Sequence, residues 1–201
     1  MGASPTFTAF AGSRRHATGD LSDIARAATR PDAPPVLVFD DASGRVVDLE
    51  LRHGPDGAVA EYEARAKRSS PPGVQKGRGR PRLGVVAREV TLLPRHWDWL
   101  AQQPGGASAA LRRLVEEARR TSAGPDRRRA AQEAAYRVMT TLAGDLPAYE
   151  DAVRALYAGD AAAFAAHMAP WPPDISDYVQ RLAGQAFAPP AGAEPAAGAA
   201  G

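Results

Sequence analysis

The chain has 201 residues, of which 44% are hydrophobic and 24% charged, as expected for a globular protein with one ordinary core or two small ones. It contains no cysteine, which excludes disulfides, thiolate metal sites and cysteine nucleophiles. The N-terminus lacks a charged segment followed by an apolar run, and no segment approaches the roughly 18 apolar residues of a membrane span. A cytoplasmic protein is therefore expected.

Residues 1–52 carry the pattern of a small β-α-β-β unit. Thr6–Ala11 alternates around its phenylalanines, and Asp20 is suited to cap a short helix. Val36–Phe39 is typical of a buried strand. Turn residues at Asp40–Gly44 connect it to the alternating segment Arg45–Leu51, which predicts a β-hairpin.

Residues 53–84 are interpreted as a linker that contains the most basic segment of the chain. A short helix is compatible with Glu61–Arg68, whereas Ser69–Gly84 is rich in proline, glycine and arginine. From Arg65 to Arg129 there are sixteen Lys/Arg and five Asp/Glu, a local charge of +11 in a chain whose net charge is +2. Such a concentration of positive charge predicts a surface that binds a polyanion.

The tetrapeptide Arg78-Gly79-Arg80-Pro81, continued by Arg82, resembles the core of an AT-hook. Glycine and proline keep such a backbone thin and extended, so that arginines can run along a narrow A·T minor groove. A solvated basic linker, or contact with phosphates alone, remains an open alternative.

Residues 85–123 predict a strand-helix-helix unit that resembles a ribbon-helix-helix domain. Val85–Leu93 is rich in β-formers, Pro94 suits a first helical turn, and Ser108 is predicted to cap the second helix. The resemblance implies a dimer whose strand faces DNA with Arg88 in one register, or with Thr91 in the register shifted by one residue. It also implies that the Ser108 helix terminus holds a phosphate. An ordinary strand-helix-helix packing unit remains the alternative, since Glu89 and the apolar strand residues depart from the pattern.

The second helix of this unit is amphipathic. Its apolar stripe is Leu111, Leu114, Val115 and Ala118, and its outer face carries Arg112, Arg113, Arg119 and Arg120. In the first helix, Trp97 is predicted to lie in the core. Trp99 points to a different face and is predicted to cover the sheet, with a partner contact as the alternative.

Residues 124–187 are predicted to be helical, and residues 188–201 to form a disordered tail. Gly124-Pro125-Asp126 opens the first helix. Gly144-Asp145 and Gly159-Asp160 are each predicted to end one helix and cap the next. Trp171–Asp174 forms a turn before a last amphipathic helix, whose apolar face is Ile175, Tyr178, Val179 and Leu182.

Taken as a whole, the chain resembles an uncharacterised bacterial family, domain of unknown function 2239. The resemblance spans nearly everything except the tail, and it implies no activity. It is carried by segments 7–12, 36–41, 79–86, 88–97 and 104–108, which read FTAFAG, VLVFDD, GRPRLGVV, REVTLLPRHW and PGGAS.

No catalytic, metal-binding or cofactor-binding constellation is predicted. The four histidines, His16, His53, His96 and His167, lie far apart without the spacing of metal ligands. Asp40 and Asp41 form an acidic pair at the hairpin turn, and hydrogen bonds to the amides of that turn are favoured over cation binding.

The sequence thus predicts an α+β protein that is not an enzyme and needs no cofactor. Its leading function is a cytoplasmic DNA-binding regulator, acting as a homodimer without membrane association. The predicted nucleic-acid-binding residues are Arg78, Arg80, Pro81, Arg82, Arg88, Thr91, Ser108, Arg112, Arg113, Arg119 and Arg120. The alternatives are a protein-interaction module that does not bind nucleic acid and a small-molecule sensor.

Overall fold

The computed structural model describes residues 5–69 and 89–188, and the fold is α+β as predicted. Two short 3-10 turns accompany the regular elements, one at Leu51–His53 and one at Gly184–Ala186. The regular elements are β1 (Phe7–Ala11), β2 (Arg14–Gly19), α1 (Leu21–Ala28), β3 (Leu37–Asp40), β4 (Val46–Val47), α2 (Gly54–Ser69), α3 (Pro94–Ala101), α4 (Gly106–Leu142), α5 (Tyr149–Ala158), α6 (Ala161–Met168) and α7 (Pro173–Ala183).

The four strands form one antiparallel sheet in the order β2-β1-β3-β4. The predicted β-α-β-β unit therefore lacked one strand, because β2 follows β1 directly through a turn at Gly12. Strand β2 lies at the sheet edge and carries the polar sequence Arg-Arg-His-Ala-Thr-Gly, so it shows no apolar alternation. The predicted strand Arg45–Leu51 is also shorter than expected and contains Val46 and Val47 alone.

The sheet is covered by helices on both faces. On one face Phe7 packs edge-on against Tyr62 of α2, in a cluster that also contains Ile24 of α1. On the other face Phe10 and Phe39 pack against Tyr178 of α7 and join the larger core. Alternation along β1 and β3 divides the side chains between these faces.

The β3–β4 turn is anchored on α4. Asp40 accepts hydrogen bonds from the amide of Ala42 at 3.0 Å and the hydroxyl of Ser43 at 2.6 Å, which confirms the predicted role of this carboxylate. The same prediction was wrong for Asp41, whose carboxylate bonds to Tyr178 and Arg181 instead. Gly44 follows with φ of +66°, and a Cβ at this position would lie 2.1 Å from the carbonyl oxygen of Ala134. A side chain is excluded there, so the turn lies directly on the helix.

Three helix boundaries differ from the sequence prediction. Helix α4 begins at Gly106, so Ser108 lies in its first turn and does not cap it. The same helix continues through Gly124-Pro125-Asp126, which had been predicted to open a new one. Asp145 does not cap α5, since its N-cap is Ala148 in the left-handed conformation.

Several other helix signals agree with the structure. Asp20 caps α1, since its carboxylate accepts a hydrogen bond from the amide of Asp23 at 2.9 Å. Asp160 caps α6 in the same way, by accepting a hydrogen bond from the amide of Ala163. Gly159 ends α5 with φ of +76°. The predicted apolar face of α7 is buried in the larger core, as its residues Ile175, Tyr178, Val179 and Leu182 show.

The chain divides into two compact units. One comprises residues 1–65 and 124–201, and contains the sheet and helices α5 to α7; the other comprises residues 66–123. Helix α2 occupies the first half of the range interpreted as a linker, and the basic segment 70–88 and the tail 189–201 lie outside the described residues. Of the predicted strand at 85–93, residues 89–93 are described, and they contain no strand in this single chain.

Candidate nucleic-acid interface

The structure describes six of the eleven residues predicted to bind nucleic acid. Thr91 is exposed in the segment before α3, and Ser108 is exposed in the first turn of α4. The other four are arginines of α4, all of them exposed. Arg78, Arg80, Pro81, Arg82 and Arg88 lie outside the described residues.

The four arginines share one side of α4. With 100° per residue, Arg112, Arg113, Arg119 and Arg120 fall within an arc of about 120°. The predicted apolar stripe lies about 150° away around the same helix. We call the four arginines the basic face, and Leu111, Leu114, Val115 and Ala118 the α4 stripe.

Most of the basic face is not neutralised by neighbouring carboxylates. Arg119 pairs with Glu116 at 3.2 Å, with both side chains more than 70% exposed. Arg112 donates from Nε to the carbonyl oxygen of Ser108 at 3.1 Å, a contact that leaves its charge unpaired. Within the described part of the chain, Arg113 and Arg120 form no ion pair. Three of the four guanidinium charges therefore remain available to an anion.

Three arginines that follow the basic face along α4 form hydrogen bonds or ion pairs with other groups of the chain. Arg128 donates to the carbonyl oxygen of Ala188 at 2.8 Å, and Arg129 pairs with Asp126 in the next turn of α4. Arg137 bridges Glu133 and the carbonyl oxygen of Ser43. Unlike Arg113 and Arg120, these three arginines therefore bind other groups of the same chain.

Charge is distributed unequally between the two compact units. Residues 66–123 contain twelve Lys/Arg and four Asp/Glu, giving +8, whereas the other unit contains thirteen and nineteen, giving −6. The positive charge is thus concentrated in residues 66–123, one of the two compact units.

The same unit exposes an unusual amount of apolar side chain. Trp97, which was predicted to lie in the core, is 42% exposed, and Trp99 is 49% exposed. On α4, Leu114 and Val115 are exposed as well, which corrects the expectation that the stripe is packed. Large apolar groups at the surface of a small unit are typical of an interface.

Sequence reasoning missed a buried polar cluster in the other unit. The carboxylate of Asp41 accepts hydrogen bonds from the hydroxyl of Tyr178 at 2.9 Å and from the guanidinium of Arg181 at 3.2 Å. Burial of Tyr178, followed by the nearby negative charge of Asp41, raises the pKa of its hydroxyl. Asp41 and Tyr178 are 137 residues apart, so no local spacing could have predicted the contact.

An open cleft of about 710 Å³ adjoins the β3–β4 turn. Its lining carries opposite charges in equal number, with Arg45, Arg65 and Arg137 facing Asp40, Asp48 and Glu133. Tyr62 also lines it, and partial burial together with the charge of Asp40 raises the pKa of this tyrosine. No sequence motif indicates this cleft.

Residues 5–69 and 89–188 hold no group of three or more His, Cys, Asp or Glu side chains arranged to bind a metal ion. In the same two segments, no helix is long and apolar enough to cross a membrane.

These features define an α+β protein with a four-stranded antiparallel sheet, a helical C-terminal half and an exposed basic helix face. The chain belongs to a bacterial family, domain of unknown function 2239, described as uncharacterized protein conserved in bacteria, whose profile matches residues 6–183. This match confirms the family resemblance seen in the sequence. Comparisons with curated proteins and with solved structures found no match.

Proposed function

We propose that this protein binds nucleic acid, as a cytoplasmic DNA-binding regulator, through the basic face of α4 and the basic segment at Arg78–Arg82. The observation that carries the proposal is the exposed face on which Arg112, Arg113 and Arg120 have no carboxylate partner among the described residues. If these arginines served to neutralise acidic groups of the same chain, each of them would form an ion pair with a carboxylate.

Attraction to phosphates supplies the affinity in this proposal. Each phosphate neutralised by an arginine releases condensed counterions, so binding weakens as salt rises, with a slope of about −0.9 per contact. Arg78 and Arg80 would add a preference for A·T-rich duplexes if they enter the minor groove, because that groove is narrow and strongly negative. Contacts of α4 arginines with phosphates would position the protein without reading sequence.

The test is fluorescence anisotropy with a labelled A·T-rich duplex and a G·C-rich duplex, each titrated at two salt concentrations. The triple variant R112A/R113A/R120A is expected to reduce the salt slope by up to about 3, one contact per arginine. A second variant, R78A/R80A, tests the basic segment and is expected to remove any A·T preference.

A matched control uses arginines of the other unit. Arg26 and Arg154 are exposed, and each pairs with an aspartate three residues away, so R26A/R154A should leave affinity and slope unchanged. If wild-type protein fails to bind either duplex at low salt, the proposal is wrong. An equal loss per arginine in the control and the triple variant would show that net charge alone is responsible.

Two other functions remain as alternatives. A protein-interaction module would use exposed side chains such as Tyr136 and Tyr157, whose rings lie 6.0 Å apart on α4 and α5. A small-molecule sensor would use a closed apolar pocket between the C-terminal helices, whereas the 710 Å³ cleft is open and lined by charges. The unpaired arginines favour nucleic acid over both.

A further inference from the structure

A second, smaller pocket lies at the edge of the sheet, where β3 and β4 pair. Its volume is about 310 Å³, and it is more enclosed than the 710 Å³ cleft. The walls come from the end of α1, from β3 and β4, and from the segment that follows β4. All of these elements belong to the compact unit of residues 1–65 and 124–201, so the pocket is built within one unit.

The lining of this pocket is almost entirely aliphatic. Of the nine described residues that line it, eight are alanine, valine or leucine. Val38 and Val47 lie opposite each other in the strand pair and are buried, whereas Leu37 and Val46 are 44% and 49% exposed. A concave site of this size with uncovered apolar walls is typical of a pocket for a small ligand.

The ninth lining residue, Asp48, supplies one negative charge. In the part of the chain that the structure describes, its carboxylate accepts no hydrogen bond and forms no ion pair, whereas nearby Glu50 pairs with Arg52 at 3.2 Å. Asp48 also borders the 710 Å³ cleft, but the arginines of that cleft do not line the smaller pocket. The pocket thus combines an aliphatic wall with a single available carboxylate.

We propose that this pocket binds a small aliphatic amine. The alkyl group would lie against the valine and leucine side chains, and the ammonium group would donate hydrogen bonds to the carboxylate of Asp48. The inference concerns a site apart from the basic face of α4, and it does not depend on the proposed function.

Charge selects an amine over other small apolar molecules. A neutral molecule would displace water from Asp48 without replacing its hydrogen bonds, which costs free energy. A carboxylic acid would bring a second negative charge close to that of Asp48. An ammonium group offers a charge-assisted hydrogen bond, and its alkyl chain still gains from leaving water.

The experiment compares three ligands of equal chain length at pH 7, namely hexylamine, hexan-1-ol and hexanoate. Each is titrated into the full chain and followed by ligand-observed NMR. Hexylamine is expected to bind at least about tenfold more tightly than hexan-1-ol, because a hydrogen bond between charged groups contributes at least that factor. Hexanoate is expected to bind most weakly.

Two variants locate the site. D48N should weaken hexylamine binding by about tenfold or more and change hexan-1-ol binding by less than about threefold, because only the charge is removed. A28M places a longer side chain in the pocket and should weaken both ligands by about tenfold. The matched control is D177N, since Asp177 is an exposed carboxylate of α7 outside the pocket.

The outcomes are decisive for the pocket. Wild-type protein that does not bind hexylamine overturns the inference, as does equal affinity for the amine and the alcohol. Hexylamine affinity that is unchanged in D48N would show that Asp48 does not hold the ammonium group, and an equal loss in D177N would indicate attraction to net charge. Because no duplex is present, either result leaves nucleic-acid binding untouched, and a failure to bind duplexes leaves the amine pocket intact.

Discussion

Because Gly44 has no side chain, the β3–β4 turn can pack directly against α4. The residue has φ of +66°, a region that costs L-residues about 1 kcal/mol, and its Cβ position is 2.1 Å from the carbonyl oxygen of Ala134. Backbone and helix would both have to move to admit a methyl group. G44A is therefore expected to lower the free energy of unfolding by about 3 kcal/mol or more.

Urea denaturation followed by circular dichroism measures this loss. The control is G12A, because Gly12 also has positive φ but has open space around its Cβ position. G12A should lower the free energy of unfolding by only about 1 kcal/mol, the cost of the backbone conformation alone. Equal losses in the two variants would show that the contact with Ala134 does not contribute.

Tyr178 makes the stability of the protein sensitive to alkaline pH. Its hydroxyl is buried and donates to Asp41, and burial followed by the charge of Asp41 raises its pKa above the usual 10.0. The unfolded chain loses this proton near pH 10 while the folded chain retains it. The contribution of Tyr178 to the free energy of unfolding is therefore fully present below about pH 10. Above that pH the free energy of unfolding decreases by about 1.4 kcal/mol per pH unit for one proton.

The Y178F variant tests this linkage. At neutral pH it is expected to be less stable by about 1–3 kcal/mol, since buried Asp41 loses one donor and keeps Arg181. Above pH 10 its unfolding free energy should fall less steeply than that of the wild type. Urea titrations at several pH values measure both effects, and parallel pH curves would contradict the assignment.

Among the helices, α4 is exceptional for its length and for an internal proline. It runs for 37 residues through Gly124 and Pro125, and proline supplies no amide for the carbonyl oxygen of Thr121. The boundary between the two compact units falls between Ala123 and Gly124, beside this weak point. The helix thus lacks one backbone hydrogen bond close to the boundary between the two units.

Replacing the proline should strengthen the helix. P125A is expected to raise the free energy of unfolding by about 1–2 kcal/mol, because restored hydrogen bonding outweighs the greater freedom of the unfolded chain. The exposed neighbour Arg127 gives the control, since R127A should change stability by less than about 0.5 kcal/mol. A destabilised P125A would instead show that the break is needed by the native helix.

Individual elements show which features a sequence can predict. Helix α7 was predicted because its apolar residues follow the helical period and lie in the core. Strand β3 was predicted from the continuous apolar run Val36–Phe39, of which Val38 and Phe39 are buried. Strand β2 was missed because an exposed edge requires no apolar alternation. Gly124-Pro125 and Asp145 were read as helix boundaries, but the helix-forming residues around Pro125 continue α4, and Ala148 takes the position before α5.

The candidate site likewise combines features that the sequence predicts with features that it does not. Four arginines on one helix could be predicted from spacing, because residues of one helix keep fixed angular positions. The exposure of Trp97 and Leu114 could not, since it depends on whether another surface covers them. Contacts such as Asp41 with Tyr178 depend on the whole fold, and no local pattern encodes them.

At the scale of the whole molecule, the two ends of α4 differ in how deeply their side chains are buried. Within α4, residues such as Ala135, Val138 and Met139 are fully buried, whereas residues 112–121 are exposed. Backbone amides are protected from exchange by the stability of the structure around them, and protection falls where few side chains are buried. The helix should therefore be stable at its C-terminal end and labile at its N-terminal end.

Hydrogen exchange resolved by mass spectrometry measures this difference. Amides of residues 131–142 are expected to exchange at least about a hundredfold more slowly than those of residues 109–120 at low protein concentration. Uniform protection along α4 would contradict the division of burial.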